Sequence, residues 1–276
     1  MQDQSSQRDS ASAGAPAAIS RPEPGIAVLT LDRPQQRNAL SLGMMAALHV
    51  AIDALGKDQS VAAIVLAANG PAFCAGHDLK EMTSHRKDAD GGRAFFHQTM
   101  ERCALLMQAI VKCPKPVIAS VHATATAAGC QLVATCDLAV AADTAKFCTP
   151  GVNIGLFCST PMVALSRNVP RKRAMEMLLL GDMISAAEAA DYGLVNRVVG
   201  HDMVMEEALS MARRIVRKSP VTVAIGKEAF YRQIEQPLAE AYGYAVNVMV
   251  KNMMTEDAEE GIGAFVDKRT PEWKGC

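Results

Sequence analysis

The chain has 276 residues, with 28 Lys+Arg against 29 Asp+Glu for a formal charge of −1, and half of its residues are apolar. That length allows one large or two small domains with ample material for a core, and the apolar content excludes a chain disordered throughout. The balanced charge, the 4% aromatic content and a mean hydropathy of +0.08 argue against nucleic acid as a partner and predict a soluble protein with no membrane span.

Residues 1–22 are rich in Ser, Ala and Gln without periodicity, which predicts a disordered N-terminal tail. Its Arg8 and Arg21 are set against Asp3, Asp9 and the adjoining Glu23. A transit peptide is Arg-rich and poor in acids, so a cytoplasmic location is expected. Short apolar runs at 26–31, 62–67, 116–121 and 138–142 predict strands by length and β-branched content, and 41–55, 93–111 and 203–218 carry helical spacing. Strand followed by helix, repeated, predicts an α/β core over 23–200. Beyond about Ser185 only 194–199 reads as a strand, while 206–216 and 238–265 read as helical, so a helical C-terminal region is expected over 201–276. The eight cysteines, Cys74, Cys103, Cys113, Cys130, Cys136, Cys148, Cys158 and Cys276, form no CxxC pair and show no ligand spacing. They predict reduced, mostly buried thiols and no metal site.

The chain has no GxSxG elbow, GxxxxGK[ST] loop or HExxH helix, and Gly261-Ile262-Gly263 lacks the third glycine and preceding strand of a dinucleotide site. Two small-residue segments close after predicted strands stand out instead. They are Ala72-Phe73-Cys74-Ala75-Gly76-His77-Asp78-Leu79-Lys80-Glu81-Met82 and Val121-His122-Ala123-Thr124-Ala125-Thr126-Ala127-Ala128-Gly129-Cys130-Gln131-Leu132. Small side chains let a backbone approach a ligand, and each segment taken alone is equally a tight, well-packed turn.

With Leu31-Asp32-Arg33-Pro34-Gln35-Gln36-Arg37-Asn38-Ala39-Leu40 upstream, and with 136–139, the 150–155 turn, 184–189 and 260–265 downstream, these segments resemble the enoyl-CoA hydratase/isomerase (crotonase) superfamily from about Gly25 to Lys274. The stretch 147–161 is similar to its enoyl-CoA hydratase domain-containing protein 3 subgroup. The resemblance implies a ββα spiral core with a helical C-terminal trimerisation region, an acyl-CoA thioester as ligand, coenzyme A arriving as part of the substrate with no separate cofactor, and self-association as a trimer or hexamer. It puts an oxyanion hole on the backbone N–H groups of His77 and Ala128. A thioester reacting at Cα or Cβ passes through an enolate, and fixed donors at its oxygen contribute about 10²–10³ in rate. Ala128 would also open a helix whose N-terminal dipole favours that anion. His77 is expected to act through its N–H rather than its imidazole, and His122 to be a satisfied core histidine. Gln36, Arg37 and Ala39 would line the pantetheine and nucleotide path, and Asp78, Leu79 and Lys80 would surround the adenine. Lys268, with Met249, would come from the C-terminal region of the same or a neighbouring subunit.

The sequence departs from the family pattern at the two catalytic glutamates, where the aligned positions hold Gln131 and Gly151. Neither side chain titrates, and a general acid–base group contributes about 10²–10⁴. Thr149, Cys148, Asn153, Cys158 and Ser159 lie nearby in sequence and none is an evident base, while Asp137 is expected to support the loop after Cys136. Restoring both carboxylates, as Gln131→Glu with Gly151→Glu, is expected to raise hydration more than either change alone. Three readings follow: an acyl-CoA enzyme of hydratase/isomerase type with slow or altered chemistry, a catalytically impaired CoA-ester binding or regulatory protein, and a structural trimer component without ligand.

Overall fold

The computed structural model describes residues 15–276. Strand β1 (Ala17–Glu23) turns through Pro24-Gly25, with Gly25 at φ +79°, into antiparallel β2 (Gly25–Leu31). The expected disordered tail therefore fails from Ala17 onward, and its remainder at 1–14 lies outside the described residues. The misreading has a physical source. Arg21-Pro22 is polar and breaks the strand pattern, and the register shifts between Ser20 and Glu23, as an edge strand allows. Arg21 pairs with Asp58 and Glu23 with Arg213, so both charges serve the fold.

After β2 come α1 (Leu42–Lys57), capped by the Ser41 side chain on the Met44 N–H, then β3 (Val61–Ala68), α2 (Leu79–Ser84) and α3 (Arg93–Lys112). The chain continues through β4 (Val117–Val121), β5 (Ala125–Thr126), α4 (Ala128–Thr135), β6 (Leu138–Ala142) and β7 (Lys146–Cys148). Next are α5 (Ser159–Asn168), α6 (Arg171–Leu180), β8 (Ile184–Ser185), α7 (Ala186–Asp191) and β9 (Arg197–Val199). Helices α8 (Val204–Val216), α9 (Pro220–Gln233), α10 (Leu238–Met253) and α11 (Glu256–Val266) complete it. The main sheet runs β1-β2-β3-β4-β6-β9, parallel beyond the first pair, and the smaller sheet runs β5-β7-β8. The central strands are apolar runs because a parallel sheet is covered on both faces, which is why β2, β3, β4 and β6 were legible as strands. Helix α8 packs on β2, β3, β4 and β6, and α1 packs on β1, β2, β3 and α3.

The C-terminal helices are fastened to the core within the same chain. Lys227 of α9, its side chain only 6% exposed, donates to the carbonyls of Ile110 and Lys115 and to Asp137 Oδ2 at 2.6 Å. Tyr231 OH donates to Asp137 Oδ1, and the Val117 N–H to Oδ2. Asp137 thus supports more than its own loop, because it joins the start of β4 to α9. Buried Asp257 of α11 accepts from Ser219 Oγ at 2.6 Å and from the N–H groups of Lys274 and Gly275, which ties down the chain end.

Candidate active site

Two chain reversals meet at the C-terminal edges of β2, β3 and β4. The first follows β2, where Arg37 and Asn38 are consecutive residues at φ 51° and 54°, a left-handed conformation that side chains other than glycine seldom adopt. Asn38, fully buried, holds it in place: Oδ1 accepts from the Arg33 N–H, and Nδ2 donates to the carbonyls of Asn69 (2.8 Å) and Ala72 (2.9 Å). The stretch 33–40 is thereby laced to 69–77, with the Ala75 N–H on Arg37 O and the Leu40 N–H on Gly76 O. In the sequence Asn38 is one residue of the 31–40 segment, and its organising role is a finding of the structure. The available signal was that Asn is among the few residue types tolerant of this backbone conformation.

The second reversal is 124–129. The Phe73 N–H donates to Thr124 O and the Thr126 N–H to Cys74 O, so β5 runs beside residues 73–75. At Gly129 a Cβ would stand 2.1 Å from Cys74 O, and at Gly76 (φ +89°) a Cβ would stand 2.9 Å from Ala127 Cβ and 3.4 Å from Ala128 N. Only glycines let α4 and the 76–77 backbone approach this closely. Ala127 between them is at φ 50°, ψ −117°, a strained conformation, with its N–H on Cys148 O. Among the described residues neither the His77 nor the Ala128 N–H donates to a protein oxygen. Two backbone donors are thus left open side by side, one of them at the start of α4, where the helix dipole favours negative charge.

The imidazole of His77 lies largely enclosed, its Nε2 without a partner, and loss of hydration pulls its pKa from 6.5 to about 4. It is neutral near pH 7. His122 is half-buried, and its Nε2 bonds Gly70 O at 2.8 Å, so it is satisfied as expected but lies outside the core. Gln131 is buried on α4 with Oε1 facing the thiol of Cys103 on α3. Gly151 is the second residue of the 150–154 turn, where a Cβ would meet Leu156 O at 2.8 Å and Cys158 Sγ at 2.9 Å. The loop is closed around glycine, so a glutamate at 151 is expected to shift the loop as it enters, and the gain expected of Gln131→Glu with Gly151→Glu depends on the loop making that room. Thr149 is committed to Met177 O, while Asn153 and Ser159 are exposed. Burial raises the thiols of Cys74 and Cys103 to about 12 and of Cys148 to about 11, and pushes those of Cys130 and Cys158 upward. Around α4 these groups are protonated thiols at neutral pH, not bases.

The remaining candidates divide by position. Gln36 and Arg37 are exposed and Ala39 half-buried at the laced reversal, while Leu79 and Lys80 are exposed just beyond His77. Asp78 spends Oδ1 on the N–H groups of Lys80 and Glu81, where it caps α2. Lys268 stands exposed past the end of α11, and Met249 is exposed on α10. No hydrogen bond or ion pair joins Lys268 to 36–40 or 77–80. The structure therefore brings Gln36, Arg37, Ala39, Asp78, Leu79 and Lys80 to one edge, and ties neither Lys268 nor Met249 to it by a hydrogen bond or ion pair.

A mostly parallel sheet with this double reversal and helical C-terminal region is the crotonase fold, and residues 21–276 match the family described as Enoyl-CoA hydratase/isomerase, to which the chain belongs. More particularly, it is 46% identical over 253 residues to rat enoyl-CoA hydratase domain-containing protein 3, mitochondrial, covering 92% of this chain and 83% of that one. The crystal structure of the human protein of the same designation superposes with a TM-score of 0.88 at 44% identity, covering 94% of this chain and all of that one. An enoyl-CoA hydratase from Mycobacterium smegmatis gives 0.89 at 53% identity, covering 94% and 98%. The cytoplasmic location expected from the N-terminal charges is overturned by the names of the rat and human relatives, which are mitochondrial. Two of the five charges behind that expectation, Arg21 and Glu23, belong to β1 and carry no information about a leader. Among the described residues no helix is long and apolar enough to cross a membrane.

Proposed function

We propose that the chain binds acyl-CoA thioesters and stabilises an enolate on the thioester oxygen with the N–H groups of His77 and Ala128. The observation that carries this reading is the approach of Gly76 to Ala127 and Ala128, which leaves both amides adjacent and without protein acceptors. Donors fixed before the reaction need no reorganisation as charge develops. Arg37, with Gln36 and Ala39, lies on the neighbouring reversal and supports a path for the CoA phosphates and pantetheine, and Asp78, Leu79 and Lys80 support one for the adenine. Lys268 is reached from α11 of this or a neighbouring subunit. No metal or separate cofactor enters this chemistry. The names of the relatives support a mitochondrial setting.

Gln131 and Gly151 stand where the family's two glutamates are expected, so proton transfer to or from water lacks its usual carboxylates. An amide cannot take a proton from water and glycine offers no group, so crotonyl-CoA hydration should be slower by orders of magnitude than in a two-glutamate relative. A second reading, a CoA-ester binding or regulatory protein with impaired catalysis, is favoured by the loop closed around Gly151. Titration calorimetry with acetyl-CoA and crotonyl-CoA tests the binding itself, and no heat at millimolar ligand would overturn it. Hydration assayed beside a two-glutamate relative separates the two readings, and equal rates would refute the argument from the missing carboxylates.

A further inference from the structure

Residues 73–78 run between the two reversals and bond to both. On the side of 33–40, the Ala75 N–H donates to Arg37 O, the Leu40 N–H to Gly76 O and the Asp78 N–H to Leu40 O. Leu40 thus bonds only the two neighbours of His77, as in a parallel bridge, and the His77 N–H points away from 33–40, toward Ala127 and Ala128. The direction of that donor is set by where Leu40 stands. Leu40 follows two residues after Asn38, in a stretch whose left-handed backbone at 37 and 38 has to be held by contacts outside itself. Asn38 supplies them. Its Oδ1 takes the Arg33 N–H at 2.9 Å and its Nδ2 spends both protons on Asn69 O and Ala72 O, the carbonyls through which the chain enters 73–78. The side chain is fully buried and faces no ligand.

We infer that Asn38 is a positioning residue for enolate stabilisation: its buried amide fixes the direction of the His77 N–H and couples that donor to the 36–39 segment that receives CoA. The inference rests on the acyl-CoA reading above and adds the residue that aims one of its two donors. Asn38 acts on the thioester only through the backbone. CoA held at 36–39 steadies the same lacing from its other end, so the donor is fixed before charge develops on the oxygen.

Infrared difference spectra of bound butyryl-CoA with an isotope-labelled thioester carbonyl test it, because hydrogen bonds to that oxygen lower its stretching frequency. Asn38→Gly takes the φ of 54° without strain and removes all three bonds, and Asn38→Asp keeps the acceptor for Arg33 but sets an oxygen against two carbonyls. Each should lose about half or more of the downshift seen in the natural chain and raise the Kd about tenfold, the effect of one lost hydrogen bond. Asn196→Ala removes an asparagine bond of the same kind, to the Ala139 N–H, away from the reversals, and should leave the downshift whole, a contrast that a loss of stability alone would not produce. Melting curves check that each variant is folded. Hydrogen exchange of the natural chain needs no variant: free CoA at ten times its Kd should slow the Leu40 and Ala75 amides about tenfold. A full downshift in both Asn38 variants, an equal loss in Asn196→Ala, or no added protection of Leu40 and Ala75 under bound CoA overturns the role of Asn38 while acyl-CoA binding stands. Failure of butyryl-CoA to bind, or binding without a downshift in the natural chain, overturns both this inference and the reading it rests on.

Discussion

His77 offers its amide to the shared edge while its imidazole is enclosed with Nε2 unpaired, and the two facts have different consequences for catalysis and stability. Desolvation lowers its folded pKa to about 4, against an unfolded value near 6.5. The unfolded chain therefore takes up the proton first as pH falls. Stability from the neutral imidazole is complete above about pH 6.5 and drains as pH drops toward 4, and the loss between pH 7 and pH 5 comes to about 2 kcal/mol. Denaturant unfolding at both pH values should show that loss in the natural chain and a smaller one in His77→Gln. Coincident profiles for the two would contradict the enclosure of the ring. With its pKa drawn down to about 4, the neutral imidazole is a weak base near pH 7, which agrees with a role through the N–H.

The link between α9 and the core concentrates its energy in a few buried contacts. Lys227 satisfies its three protons on Ile110 O, Lys115 O and Asp137, and Asp137 in turn holds Tyr231 and the Val117 N–H. Removing one partner leaves an uncompensated buried charge, so Lys227→Met should cost about 3–5 kcal/mol, while Lys227→Met with Asp137→Asn should cost less than the single change. Chemical denaturation measures the loss, and hydrogen exchange should show α9 opening before the main sheet; a cost below about 1 kcal/mol would mean the pair is solvated. Such links also mark what the sequence could and could not reveal. Strands β2, β3, β4 and β6 were legible because burial on both faces demands continuous apolar runs. Strands β5, β7 and β8 have two or three residues each and give no periodicity to read. The reversals at His77 and Ala128 were legible through family resemblance, but the Asn38 lacing, the Cys103 contact with Gln131 and the Cys158 thiol against position 151 join residues 7 to 34 positions apart, and no local pattern encodes them.

At the level of the assembly, the fastening of α9 and of the chain end decides which surface is left for a partner. Lys227 and Asp257 hold the C-terminal region on its own core, while α10 packs only on α9 and α11 among the stronger contacts and turns an apolar face outward. Leu238, Tyr242, Val246, Met249 and Met253 recur at helical spacing along that face, with Tyr242 69% exposed and Phe265 of α11 84% exposed. A contiguous apolar surface of this kind on a folded chain marks an association site. Self-association as a trimer or hexamer is expected to cover it, and would bring Lys268 and Met249 of one subunit toward the 36–40 and 77–80 segments of another, the one grouping that a single chain does not make. Light scattering should give three or six times the chain mass of 29.4 kDa. Tyr242→Glu with Val246→Glu, two charges on a face that needs no internal partner, should shift the population to monomer with the melting of the core sheet largely retained, and should weaken acyl-CoA binding only if the neighbour completes the site. A natural chain that scatters as a monomer at all concentrations would leave the α10 face without this explanation, and Lys268 would then have no route to the phosphate.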